Sequence, residues 1–293
     1  MGFCNLYFVS CIHSLAATQI EGAWNISKGM NVWDTFLQSG TAPKSFDSIE
    51  VTADHYHRYK EDLALLKTLG ANMYRFSFSW SRILPNCNGE VNQDALKYYS
   101  DMIDQILAND AEPVATMYHW DLPTACHTQY GGWTNPRIVE DFTNYARVLL
   151  TAFSGKVKYW LTINEPSNAC IYGYDNGRFA PNVQGGYRGR YACGHYSILA
   201  TAYIGKMMRE SFPGTRLSYP VVMSHGVPLN PNSQADIDAG IRSMEFGGAW
   251  LLDPFFTGDY PASMRQDPVI SQYLPAFTAQ DRIALRDSLS FIA

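Results

Sequence analysis

The sequence of 293 residues has no apolar run approaching the roughly 20 residues that cross a membrane. It also has no basic excess, because 22 Lys and Arg stand against 27 Asp and Glu, a formal net charge of -5. Nucleic-acid-binding proteins carry clustered basic surface, so we expect no nucleic-acid partner. The six cysteines contain no Cys-x-x-Cys pair, which argues against structural zinc. Gly-x-Gly-x-x-Gly and Walker patterns are missing too, and we predict no metal and no cofactor.

The amino-terminal stretch fits two interpretations. Residues 1–15 are an atypical start, apolar enough for a secretory signal but without its positively charged beginning. A first strand near 6–18 explains them equally well. The chain has one Asn-x-Ser pattern, Asn25-Ile26-Ser27, and its six cysteines leave room for one or two disulfides. The compartment is therefore open, with a secreted or extracellular protein favoured.

Aromatic residues are plentiful, at 14% of the chain, with 7 Trp and 19 Tyr. This content fits a large core, and it fits a carbohydrate cleft in which flat rings stack on sugars. Composition alone leaves both open. With 46% hydrophobic residues the chain can build one large core, and we predict a single domain over 1–293.

Helical and strand patterns alternate along the chain. Helices are predicted at about 54–69, 94–109, 136–153, 191–210, 236–249 and 279–287. Strands are predicted near 6–18 and at 72–80, 113–118, 159–164 and 216–223, with a sixth beginning at 290–292. Such alternation is typical of parallel βαβ units.

The residues with interesting chemistry follow the predicted strands. They are Gln19 after the first strand, Trp80 and Arg82 after the second, His119 after the third, and Asn164 and Glu165 after the fourth. A doubly wound sheet concentrates its site at one switch point. Polar residues at successive strand ends instead indicate a (β/α)₈ barrel.

The segment 159–166, Tyr-Trp-Leu-Thr-Ile-Asn-Glu-Pro, shows this most clearly. Its apolar, β-branched part predicts a short buried strand. Pro166 keeps Glu165 out of the α region, which fixes a carboxylate beside an amide at the strand end. This pair is suited to acid/base chemistry on a sugar.

Several motifs, in order over about residues 16–293, resemble those of glycoside hydrolase family 1, the β-glucosidase family, and its animal members in particular. They are Gln19-Ile20-Glu21-Gly22-Ala23-Trp24, Trp33-Asp34-Thr35-Phe36, Asp54-His55-Tyr56-His57-Arg58-Tyr59-Lys60-Glu61-Asp62, Tyr74-Arg75-Phe76-Ser77, Ser79-Trp80-Ser81-Arg82-Ile83, Tyr118-His119-Trp120-Asp121-Leu122-Pro123, Gly131-Gly132-Trp133, Thr162-Ile163-Asn164-Glu165-Pro166 and Gly258-Asp259-Tyr260-Pro261.

The resemblance implies a retaining β-glycosidase acting on a β-glycoside or oligosaccharide. Such enzymes use one carboxyl as nucleophile and another as acid and then base. Glu165 falls on the acid/base position. The remaining implied site residues are Gln19, His119, Asn164 and Trp120 for sugar binding, and Arg75 as the neighbour of the nucleophile.

Other polar residues have structural interpretations. His55 and His57 are predicted to lie on a helix, facing the surface or a helix contact. Glu21 and Asp34 are predicted to be structural polar residues near the first barrel loop, and His195 a core or helix residue.

The family's nucleophile motif, Thr-Glu-Asn-Gly, does not occur in the chain. Predicted strands begin near 72, 112, 159 and 216. Eight strand-helix units of the length that this spacing gives would need more than 293 residues. We therefore expect a barrel truncated in strand six, after about five and a half units, which lacks double-displacement turnover by itself. The alternatives are a non-catalytic sugar-binding or receptor-like relative, and a hydrolase that pairs Glu165 with Asp121. The oligomeric state stays open.

Overall fold

A computed structural model of the protein describes residues 12–292, with side chains from Leu15 onward. The centre of the described part is a parallel sheet of five strands. These are β1 Ile12–Leu15, β2 Met73–Ser77, β3 Glu112–Tyr118, β4 Tyr159–Ile163 and β5 Arg216–Ser218. Residues 1–11, which include the start of the predicted first strand, lie outside the described residues.

Neighbouring strands in the sheet are also consecutive in the chain, in the order β1-β2-β3-β4-β5. Every pair is parallel, and helices lie in each crossover. A doubly wound sheet would reverse its order at a switch point, and this sheet does not. The described residues thus form five successive units of a (β/α)₈ barrel, as the sequence predicts, and their strands all end on one side.

Each of the six predicted helices is present, and the described residues form seven further helices of four to eight residues that were not predicted. In chain order, the helices are α1 Ala17–Ile20, α2 Val32–Gln38, α3 His55–Leu69, α4 Trp80–Ile83, α5 Gln93–Ala108, α6 Thr124–Tyr130, α7 Arg137–Phe153, α8 Pro166–Cys170, α9 Gly186–Ser211, α10 Gln234–Met244, α11 Trp250–Thr257, α12 Ala262–Gln266 and α13 Ala279–Leu285. Single π-helical turns lie at Ile171–Asp175 and Glu245–Ala249, and 3₁₀ turns at Gly132–Thr134 and Ser271–Tyr273. No helix in the described part is both long and apolar enough to span a bilayer.

Local chemistry sets the helix ends. The side-chain oxygen of Asn92 accepts from the first backbone N–H groups of α5, which have no partner inside the helix. α3 stops at Gly70, whose φ of 65° is left-handed and favours glycine. On α7, an apolar stripe is buried and the Tyr145 hydroxyl donates to the Met117 carbonyl of β3 at 3.0 Å. The helix is thereby fixed to the sheet that carries the site.

Four predicted elements need correction. The predicted fifth strand, 216–223, ends at Ser218 because Pro220 has no N–H to extend the ladder. The predicted helix 236–249 is α-helical only as far as Met244, because its last five residues, Glu245–Ala249, form a π-helical turn that contains two glycines. The predicted first strand is followed at once by α1, so 17–18 are helical. Within the described residues 290–292 form no strand, although the Ser290 N–H donates to the Leu217 carbonyl of β5 at 2.8 Å.

The buried apolar side chains form one cluster that extends from Val32 to Leu285. Two disulfides lie within it, Cys87–Cys126 and Cys170–Cys193. The second joins α8 to the amino-terminal third of the long helix α9. Cys4 and Cys11 lie outside the described residues.

Candidate active site

β2 and the ends of β3 and β4 bring three predicted site residues into one hydrogen-bonded cluster. Asn164, which follows β4, is 4% exposed. Its Oδ1 accepts from an Arg75 Nη2 at 2.5 Å, and its Nδ2 lies 3.0 Å from Nε2 of His119. The three residues come from adjacent strands, so the parallel order of the sheet explains why they meet. We call Arg75, His119 and Asn164 the polar cluster.

Donor and acceptor roles in the polar cluster follow from Arg75. A guanidinium can only donate, so the Asn164 oxygen faces Arg75 and its NH₂ group faces His119. His119 Nε2 must then accept, which requires a neutral ring protonated on Nδ1. Burial, and then the Arg75 charge, lower the pKa of His119 to about 3, which agrees with a neutral ring.

Arg75 is held from two sides. Its Nε donates to the Thr116 hydroxyl of β3 at 3.0 Å, in addition to the bond to Asn164. Burial lowers the pKa of Arg75, while the charge of Glu165 acts to raise it. Thr116 was not among the predicted site residues. The sequence gives no signal for it, because its contact with Arg75 depends on how β2 pairs with β3.

Glu165 caps the amino end of α8 in a left-handed conformation, with φ 43° and ψ 60°. A positive φ on a residue other than glycine is unusual and often marks a functional site. The Glu165 N–H donates to the Pro220 carbonyl at 3.1 Å, and Asn168 Nδ2 donates to Oε2 at 3.0 Å. Oε1 makes no hydrogen bond to the described residues, so one carboxylate oxygen is free to act. Asn168 was not among the predicted site residues either, although its i+3 spacing from Glu165 could have indicated it.

Trp120 joins the polar cluster to a group of aromatic rings. Its indole N–H donates to the Asn164 carbonyl at 2.6 Å, and its own φ is 69°. Its ring lies 6.1 Å from Phe179, which in turn lies 4.8 Å from Tyr172 and 5.7 Å from Trp33. All four residues are half-buried. We call these four rings the aromatic wall.

Gln19 is not part of the polar cluster. It lies on α1, its side chain is exposed, and it makes no side-chain hydrogen bond to the described residues. Asp121 is close to the cluster in sequence but is 0% exposed. Its Oδ1 accepts from the His119 N–H at 3.4 Å, and its Oδ2 has no partner among the described residues. A carboxylate without exposed surface cannot contact a substrate, which removes the physical basis for pairing it with Glu165.

The residues predicted to be structural have structural contacts. Glu21 is 4% exposed and accepts from Arg82 Nε at 3.1 Å and from the Tyr99 hydroxyl at 2.7 Å. The remaining contacts are Asp34 with Lys28 and the Asn31 N–H, His55 with Asp62, His57 with Asp54, and His195 with the Tyr260 hydroxyl. His55 is buried and His57 is half exposed.

Curated proteins similar to this chain are named β-glucosidases. Beta-glucosidase 6 of Oryza sativa subsp. japonica is 38% identical over 291 residues, covering 94% of this chain and 56% of its own length. Beta-glucosidase 40 of Arabidopsis thaliana is 37% identical over 94% of this chain and 57% of its own. The chain therefore spans a little over half the length of these curated relatives.

Solved structures with the same architecture include a rice β-glucosidase, Os3BGlu6, with a TM-score of 0.91 at 37% identity. An aphid myrosinase has a TM-score of 0.91 at 34% identity. Each comparison covers 96% of this chain, but only 62% of the rice chain and 63% of the aphid chain. The sequence profile of Glycosyl hydrolase family 1 matches residues 8–293. Because the profile covers nearly the whole chain, the protein belongs to glycosyl hydrolase family 1.

Proposed function

We propose that this chain provides the sugar-binding and acid/base part of a retaining β-glycosidase site that acts on β-glucosides or related oligosaccharides. The observation that carries the proposal is the polar cluster directly beside Glu165. Asn164 and Glu165 are consecutive residues at the end of β4, and the Glu165 charge acts on Arg75. The names of the β-glucosidase relatives support the substrate class.

Glu165 would act first as the acid and then as the base. It would give its proton to the glycosidic oxygen as the bond to the leaving group breaks, and later take a proton from the attacking water. Asn168 bonds only Oε2, which leaves Oε1 for this exchange. The left-handed backbone and the bond to Pro220 fix the Glu165 backbone, and the Asn168 bond orients its carboxyl, as such proton transfer requires.

The polar cluster would bind the sugar through its amide and imidazole groups. His119 is neutral and its Nε2 already accepts from Asn164, so the ring offers its Nδ1–H as a donor to a sugar hydroxyl. Asn164 would hold the 2-hydroxyl, a contact that strengthens in the transition state of such enzymes. Trp120 would border the same subsite, and the aromatic wall beyond it would receive a flat or apolar leaving group.

A retaining mechanism needs a second carboxyl about 5 Å from the first. Among the described residues, Glu165 is the carboxylate whose charge acts on Arg75, and Asp121 is fully buried. We infer that the nucleophile belongs to a polypeptide segment that this sequence does not include, and that Arg75 would neighbour it. The 293 residues alone would then not turn over a β-glycoside.

The experiment compares two preparations of the chain with an aryl β-glucoside. The first is the purified 293-residue chain, and the second is the same chain co-expressed with the carboxyl-terminal part of a relative that contains a Thr-Glu-Asn-Gly strand. We expect turnover only in the second, at least 100-fold above that of its Glu165→Gln variant. Azide should restore glycoside cleavage in the variant with formation of a β-glycosyl azide, because this anion attacks without a general base.

Other outcomes would contradict the proposal. Turnover by the chain alone that Glu165→Gln abolishes would mean that both carboxyls lie within these residues. Sugar binding in the co-expressed complex without any turnover would mean a binding protein. An active complex that is insensitive to Glu165→Gln would remove the acid/base assignment.

A further inference from the structure

The turn at residues 24–27 combines an exposed side chain with a pattern that the proposed glycosidase chemistry does not use. Asn25, Ile26 and Ser27 form the Asn-x-Ser acceptor sequence, and each of the three is exposed, Ile26 by 39%. Neither the Asn25 amide nor the Ser27 hydroxyl makes a hydrogen bond to the described residues. Both groups that an oligosaccharide-transferring enzyme recognises are therefore free.

Two side chains of the protein hold the backbone of this turn by hydrogen bonds to its carbonyl groups. Arg82, which is 1% exposed, donates from Nη1 to the Ile26 carbonyl at 2.7 Å. Asn92 Nδ2 donates to the Ser27 carbonyl at 2.6 Å. The turn carbonyls thus face the protein while the Asn25 and Ser27 side chains lie outside. A glycan on a buried Asn would prevent folding, whereas this position accepts one without displacing any contact.

The cysteines give an independent indication of the compartment. All four cysteines among residues 15–292 are paired, in Cys87–Cys126 and Cys170–Cys193. Each is 2% exposed or less. Disulfides form and persist in oxidising environments such as the endoplasmic reticulum, and are rare in the cytosol. The same compartment contains the enzymes that attach N-linked glycans.

We propose that the chain folds in the secretory pathway and that Asn25 is an attachment site for an N-linked glycan. The donor is a lipid-linked oligosaccharide. A bond forms between Asn25 Nδ2 and C1 of the first N-acetylglucosamine, the bond from C1 to the lipid pyrophosphate breaks, and the amide nitrogen loses one proton. Nothing is oxidised or reduced in the transfer. The proposal does not depend on the glycosidase activity.

The test expresses the chain behind a cleavable secretion leader in insect cells. We expect secreted protein whose mass falls on treatment with an amidase that removes N-glycans. That enzyme converts a glycosylated Asn to Asp, so the peptide containing residue 25 should show Asp. Asn182, which is exposed but is followed by Val-Gln, should remain Asn and serves as the internal control.

Two variants separate loss of the site from loss of folding. Asn25→Gln removes the acceptor amide. Ser27→Gly removes the hydroxyl and suits the φ of 44° at this position, so the turn should be retained. Both should be secreted and lack the amidase-sensitive mass. Secreted wild-type protein with both disulfides formed and Asn25 unmodified would overturn the proposal, and so would a glycan that persists in Ser27→Gly.

Discussion

The amide of Asn164 determines the hydrogen-bonding roles of the polar cluster, because it receives from Arg75 on one side and donates to His119 on the other. A neutral His119 follows from this arrangement and from the burial that lowers its pKa to about 3. In the folded protein the ring should therefore not titrate between about pH 5 and 8, whereas in urea it should titrate near 6.5. NMR of histidine-labelled protein, assigned with His119→Gln, measures this. A folded-state midpoint near 6.5 would contradict the hydrogen-bond assignment.

Removing the Asn164 amide should leave Arg75 and His119 without their shared partner. The residue is 4% exposed, so water cannot readily replace the lost hydrogen bonds. We expect Asn164→Ala to lower the free energy of unfolding by about 1–3 kcal/mol. Asn232→Ala, at an exposed turn, is the matched control and should change it by less than about 0.5 kcal/mol. Equal effects in urea unfolding would mean that the polar cluster contributes no stability.

Asp121 should make the protein less stable as the pH rises. Burial raises the pKa of Asp121 to about 7, and the Glu21 charge adds to this. The folded state then binds the proton more tightly than the unfolded state, so stability falls as pH rises from about 4 through 7. We expect this carboxyl to lower the free energy of unfolding by about 3 kcal/mol between pH 5 and 8.

The comparison with Asp121→Asn isolates that contribution, because other groups titrate equally in both proteins. His119 contributes in the opposite direction, since its lowered pKa costs stability as pH falls below about 6.5. Relative to wild type, the Asn variant should become more stable as the pH increases in urea unfolding. A pH-independent difference would contradict the raised pKa of Asp121.

At the scale of elements, the Cys170–Cys193 disulfide should stabilise the helix that presents Glu165. α8 has only five residues and ends at Cys170. So short a helix is unstable alone, and the covalent bond to α9 holds its last turn. Replacing both cysteines by Ala should lower the free energy of unfolding by about 3 kcal/mol. It should also speed hydrogen exchange of the Ala169 N–H, which donates to the Glu165 carbonyl.

The Cys87–Cys126 pair provides a comparison, because it is a second buried disulfide, with a sequence separation of 39 against 23, and it does not involve α8. Its removal should cost about 3–4 kcal/mol but leave the slow exchange of Ala169 unchanged. Equal exchange rates in the two double variants would mean that the Cys170–Cys193 bond does not act on the Glu165 helix locally.

The sequence predicts an element correctly where its apolar pattern agrees with the residues that begin or end it. The apolar stripe of α7 and the terminal Gly70 of α3 define helices that the structure contains. β5 was predicted too long, because the apolar pattern continues through Pro220, where the ladder stops. The Pro220 carbonyl also accepts a hydrogen bond from the Glu165 N–H. Pro220, which follows β5, therefore helps to position Glu165, which follows β4.

Within the candidate site, sequence reasoning finds the residues at strand ends and misses those that hold them. Asn164 and Glu165 follow a recognisable buried strand, and His119 follows another. Thr116 has no signal of its own, because its role depends on a tertiary contact with Arg75, and Asn168 has only its i+3 spacing from Glu165. The disulfide pairing is likewise tertiary information, since four cysteines allow three connectivities.

For the molecule as a whole, the open sheet and the segment after β5 together predict association. Four apolar side chains within residues 222–229 are exposed, namely Val222 by 43%, Met223 by 46%, Val227 by 84% and Leu229 by 97%. They lie next to β5, the last strand in the sheet. Among residues 12–292, Ser290 alone forms hydrogen bonds with the outer edge of β5. Exposed apolar groups beside an unpaired strand edge favour contact with another chain.

We therefore expect the 293-residue chain to self-associate with increasing concentration in sedimentation velocity. A Val227→Lys/Leu229→Lys double variant should shift the distribution towards monomer, because charge beside the edge opposes pairing. Ile283→Lys is the control, since that side chain is 70% exposed but lies on α13. If the control reduces association as much as the double variant, general charge rather than this segment is responsible. A wild-type chain that stays monomeric at all concentrations would show that residues 222–229 are compatible with solvent, and that the sheet edge is protected by other means.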